Sequence, residues 1–162
     1  MNFKKKDLLV LSFILIAVLI RLIPHVPNVT PVTAMALFGG AFFSNRYAAM
    51  ALPLIVMLLS DLFLGFSWIT IFVYSAFLLV SLIGLFYKKI SFKTIIFSSL
   101  SFFIITNFGV WLMGYPKTWA GLSECYTLAL PFFRNSLIGD FAYSGLLLYG
   151  YKFASKRMLQ EV

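Results

Sequence analysis

Apolar residues run almost unbroken along this chain, and the polar residues that interrupt them come in short clusters. Six apolar runs stand out, at about Leu8–Ile23, Thr33–Phe43, Tyr47–Phe66, Trp68–Tyr87, Thr94–Gly114 and Pro131–Tyr151. Runs of this kind predict an all-α membrane protein of six transmembrane helices. The second run is short and rich in small residues (Ala34, Ala36, Gly39, Gly40, Ala41). At roughly 1.5 Å per residue it crosses little more than half a bilayer core, so it is expected to extend at either end or to be partly re-entrant. The Gly39-Gly40 pair marks a close helix contact. Lys4–Lys6 precede the first run, as in a signal peptide, but Arg21-Leu22-Ile23-Pro24-His25 follows it where a small-residue cleavage site would stand. An uncleaved first span is expected. The stretch between Gly114 and Pro131 reads as an outer loop.

Composition agrees with the pattern. Of 162 residues, 62% are hydrophobic and 11% charged, and the mean hydropathy is +0.98. Soluble domains carry about 25% charged residues. A soluble enzyme, a disordered chain and a disulfide scaffold are excluded; Cys125 is the single cysteine. No linker, repeat or low-complexity segment divides the chain, so residues 1–162 form one integral membrane domain. The net charge of +8 changes the picture only through its placement. Ten of the thirteen Lys and Arg sit at run ends or in gaps on one side: Lys4, Lys5, Lys6, Arg46, Lys88, Lys89, Lys93, Lys152, Lys156 and Arg157. Arg21, Lys117 and Arg134 fall on the other. The positive-inside rule then puts both termini in the cytoplasm of a multi-pass protein of the cell (inner) membrane. No basic stripe suited to nucleic acid exists. The acids Asp61, Glu124 and Asp140 balance the three outer bases, and balanced charge suggests pairing.

Ionisable groups at membrane depth mark functional sites by default. Asp61 closes the third run after a charge-free stretch, and Asp140 lies about nine residues into the sixth. Ser136, Asp140, Tyr143, Ser144 and Tyr151 recur at helical spacing; so do Phe103, Asn107 and Trp111 on the fifth run, and Ala17 and Arg21 on the first. The loops add His25, Asn28, Thr30, Tyr115, Lys117, Trp119, Glu124 and Tyr126. Together these groups, all but Tyr151, predict a polar and aromatic cup opening outward. Each also has a plainer role: Arg21 and Arg134 as headgroup-reaching arginines, Asp61 and Asp140 as their ion-pair partners, Asn107 as an interhelical pin, and the tryptophans as an interfacial belt. The chain has no phosphate-binding G-x-x-x-x-G-K-[ST] loop, no serine elbow and no H-E-x-x-H, so it is not expected to be an ATPase or to hold a cofactor or metal.

The segment Arg21-Leu22-Ile23-Pro24-His25-Val26-Pro27-Asn28-Val29-Thr30-Pro31-Val32-Thr33-Ala34-Met35-Ala36-Leu37-Phe38-Gly39-Gly40 resembles an uncharacterised family of bacterial membrane proteins described as transport proteins. Leu59-Ser60-Asp61-Leu62, Thr106 to Trp111, Tyr115-Pro116-Lys117-Thr118 and Pro131-Phe132-Phe133-Arg134-Asn135 extend the resemblance over nearly the whole chain. That family in turn resembles the substrate-binding S components of energy-coupling-factor (ECF) vitamin transporters, small six-helix bundles that dock on a transmembrane coupling subunit with two ATPases. The resemblance implies a vitamin-like solute as ligand, and Arg21, His25, Asn28, Asp61, Asn107, Arg134 and Asp140 as its contacts, with Asn135 beside Arg134. The first run reads Ser12-Phe13-Ile14-Leu15-Ile16-Ala17 and lacks the A-x-x-x-A patch with which S components often dock. Some S-component relatives act alone, including a cobalamin-binding group in which a cysteine matters, which brings Cys125 into view.

The expectation is therefore a non-enzymatic, S-component-like transport subunit that captures a small vitamin-like solute at the outer face of the lipid bilayer. Arg21 and Arg134 would hold a carboxylate or phosphate, and Trp111 would stack on a ring. The rival expectations are a ligand-free membrane scaffold or assembly subunit, and an intramembrane enzyme using Asp61, Asp140 and His25.

Overall fold

A computed structural model describes residues 4–23 and 28–158. The described residues form six helices: α1 (Lys5–Leu22), α2 (Val32–Phe42), α3 (Arg46–Leu64), α4 (Thr70–Tyr87), α5 (Phe92–Gly114) and α6 (Trp119–Met158). Three of them, α3, α4 and α5, are long and apolar enough to cross a membrane. The helix ends have local causes. Asn45 accepts hydrogen bonds from the Tyr47 and Ala48 amides and starts α3. Ser91 and Thr94 form a capping box on α5. The Thr118 hydroxyl accepts from the Gly121 amide and opens α6. Gly65, at φ 90°, ends α3 in a conformation that few other residues adopt.

The short second run is not extended at either end. It is a helix of 11 residues, and every one from Val32 to Ala41 is buried. It packs on all five other helices, which is why it is apolar on every face. Its glycines permit the contact. A Cβ on Gly40 would lie 2.1 Å from the Ser81 carbonyl oxygen, and one on Gly84 would lie 2.4 Å from the Leu37 carbonyl oxygen, so α2 and α4 touch backbone to backbone. Gly39 makes room for the ring of Pro53, which α3 carries in its interior.

The sixth helix is the largest departure from the sequence reading. It starts at Trp119, not Pro131, and runs 40 residues, about 60 Å. Glu124, Cys125 and Tyr126 stand on this helix, not in a loop. It passes through Pro131. The buried residues Gly121, Cys125, Ala129, Asp140, Ser144, Leu147 and Tyr151 follow one helical stripe along its length.

Polarity is arranged with apolar groups outward. Leu19, Leu62, Phe63, Ile71, Phe86 and Leu146 are exposed, while Ser60, Asp61, Ser99, Asp140 and Ser144 are buried. Lys4–Lys6, Lys88 and Lys89 share one end of the bundle with the α2–α3 turn. There the buried Asp7 accepts hydrogen bonds from the Ser44 amide (2.7 Å) and the Lys4 amide (3.2 Å) and fastens α1 to that turn.

Candidate functional site

At the opposite end, α4, α5, α6 and the segment before α2 enclose a cavity of about 480 Å³. Its floor is Asp140 on α6, with Ser99 on α5 and Thr33 at the start of α2. Asp140 is 3% exposed. The Ser99 hydroxyl lies between two acceptors, the Ile95 carbonyl at 2.9 Å and Asp140 Oδ2 at 2.6 Å. It has one proton to give, and the contact to Asp140 is the shorter of the two. Thr33 adds a second hydroxyl to the cavity floor. Three helices therefore contribute polar groups to one end of the cavity.

The walls rise from Ser99 to Val110 along α5, about 17 Å. Phe102, Phe103, Phe132 and Phe133 line them, with the Phe103 and Phe133 rings 4.6 Å apart between centroids. Thr106, Asn107 and Ser136 supply polar groups, and Asn28 and Thr30 border the cavity from the segment ahead of α2. Asn28 stands at φ 64°, a left-handed conformation that asparagine accepts more readily than most residues. The Asn107 amide nitrogen donates to the Phe103 carbonyl one turn back on its own helix (2.8 Å), so it is not an interhelical pin. One amide hydrogen and the side-chain oxygen of Asn107 have no partner among the described residues.

Of the sequence-derived candidates, Asn28, Asn107 and Asp140 line this cavity. Arg21 and Asp61 do not. They form an ion pair at 2.7 Å, with Tyr74 Oη donating to the other carboxylate oxygen at 2.7 Å and the Arg21 guanidinium also bonded to the Ser60 hydroxyl. This cluster ties α1, α3 and α4 and uses the hydrogen bonds a ligand would need. Trp111 departs from its expected place too. Its indole N–H donates to the Pro116 carbonyl, and its ring borders a separate surface groove with Phe108, Lys117 and Trp119. Arg134 is exposed and outside the cavity lining; Asn135 is half-buried and also outside it. His25 lies outside the described residues. Cys125, expected in an open loop, is 2% exposed and packs its Sγ on the Asn107 carbonyl.

The sequence reading assigned no role to Ser99, Thr33, Phe102, Phe132 or Phe133. Helical spacing did offer a signal: Phe102, Phe103, Thr106 and Val110 form one α5 face with Ser99, at steps of three and four.

A family model described as a family of unknown function, DUF6580, matches residues 1–161. The chain belongs to the DUF6580 family. No curated protein and no solved structure matches it. Whatever DUF6580 proteins do, the cavity lies inside the region that defines them, because that region is nearly the whole chain.

Proposed function

We propose that this DUF6580 protein is a multi-pass membrane protein that captures a small solute in the Asp140 cavity, as a transport subunit of the S-component type. The observation that carries the reading is the cavity itself. Its volume of about 480 Å³ lies in the range of small-molecule sites, and such sites combine mostly apolar walls with a few convergent polar groups. Four phenylalanines and the Asp140, Ser99 and Asn107 set have that composition. A ligand-free scaffold would gain nothing from a void at its polar centre, where lost packing costs stability. The enzymatic alternative has less support: Asp61 is closed off by Arg21, Ser60 and Tyr74.

Membrane insertion is supported by the three long apolar helices and by the outward-facing leucines, isoleucines and phenylalanines. We place the remaining three helices in the bilayer with them. The one-sided lysines then put both termini in the cytoplasm, and the cavity opens to the outer side. Solute movement would need a shift of α5 and α6 against α2, powered by a partner; the A-x-x-x-A docking patch is missing from α1.

The reading is tested by uptake. Cells lacking the gene, supplied with labelled small nutrients, should accumulate at least one of them several-fold more slowly. Wild-type protein should restore uptake, and Ser136→Phe, which fills the cavity, should not. Equal uptake of every nutrient with and without the gene contradicts the proposal.

A further inference from the structure

We infer that the solute is an organic cation, with a protonated or quaternary nitrogen seated between Asp140 and the phenylalanine rings. This rests on the solute-capture reading above and goes beyond it in assigning charge. Of the sixteen described residues that line the cavity, Asp140 is the sole ionisable one. The bases that would have received an anion are elsewhere: Arg21 is committed to Asp61, and Arg134 is exposed outside the lining. An anion entering here would approach a carboxylate with no cation beside it among the described residues.

The three buried carboxylates are treated differently. Asp61 has a guanidinium, and Asp7 has two backbone amides at a helix N-terminus. Among the described residues Asp140 has the Ser99 hydroxyl and no counter-charge, and it lines the cavity. A buried charge without a counter-charge is costly, and a cationic solute supplies the missing partner. The walls suit the same ligand. Aromatic rings attract cations through their quadrupole, and the half-buried Phe102, Phe103 and Phe133 line the cavity with the more exposed Phe132. Asn107 and Ser136 then read any further polar substituent. The cavity volume admits a solute of one or two rings.

The test uses purified full-length protein in lipid nanodiscs and, as probe, a bacterial small-molecule extract divided by ion exchange into cationic, neutral and anionic pools. Native mass spectrometry reads the adducts. The expected result is an adduct from the cationic pool alone, reduced at least tenfold in Asp140→Asn and weakened in Phe103→Leu. The wild-type protein decides the charge by itself even where Asp140→Asn fails to fold. Adducts from the anionic or neutral pool instead, or a folded Asp140→Asn that keeps the cation within twofold, overturn the assignment while leaving solute capture standing. No adduct from any pool overturns solute capture itself.

Discussion

At the scale of single residues, the structure separates two carboxylates that look alike in the sequence. Asp61 is structural. Removing its guanidinium in Arg21→Ala strands a carboxylate that is 6% exposed, and the expected loss is about 3–5 kcal/mol. The Arg21→Ala, Asp61→Asn double variant should recover much of that loss in a thermal unfolding assay in detergent, because no bare charge remains. If the double variant is as unstable as the sum of the singles, the pair does not act as a unit. Gly40 is constrained by distance alone. Gly40→Ala puts a methyl group 2.1 Å from a backbone oxygen and should abolish folded protein, as read by monodisperse elution. The neighbouring Ser81 and the α6 residue Ser144 bury hydroxyls with no hydrogen-bond partner among the described residues, so Ser81→Ala and Ser144→Ala should be neutral or raise the melting temperature slightly. The sequence marked Asp61 and Asp140 as unusual because charge is rare in apolar runs. It did not say which one Arg21 would take. That depends on where α1, α3 and α4 meet, and no periodicity within one helix encodes it.

At the scale of helices, five of the six were legible to within about three residues at each end, because long apolar runs and their flanking lysines leave little choice. The sixth was not. Ser123, Glu124 and Thr127 dilute its first dozen residues, and Pro131 reads as a start signal. Gly121, Cys125 and Ala129 at four-residue steps were the available clue, since they form one buried stripe of small residues. Two consequences can be measured. Native Cys125 should react slowly with maleimide in the folded protein and rapidly after denaturation; fast labelling of the folded protein would contradict a continuous α6. In a Cys125→Ser background, Gly114→Cys at the exposed end of α5 should label from outside intact spheroplasts, and Lys89→Cys only after lysis. The reverse pattern would invert the proposed orientation.

At the scale of the whole molecule, the fold is a buried apolar helix wrapped by five others, with charge fasteners at both ends and a cavity at one. The sequence showed a polar and aromatic cup in outline, through Asn28, Asn107 and Asp140. It misplaced Trp111 and Cys125, and of its two readings of Arg21 the ion pair with Asp61 is the one found, because a residue's helical face says which neighbours are near but not which hydrogen bonds win. Arg21 and Arg134, expected to hold an anion, lie outside the cavity lining, and the phenylalanine lining went unnoticed because phenylalanine is common throughout the chain. What remains central is the proposal that the space above Asp140 holds a solute. The most direct measurement compares the wild-type protein with Ser136→Phe, both purified in mild detergent, by native mass spectrometry before and after organic extraction. The wild type should carry a non-lipid small molecule that the filled variant lacks, and that molecule should be released on extraction. Identical spectra for the two proteins, with either no such molecule or the same molecule in both, would contradict the account.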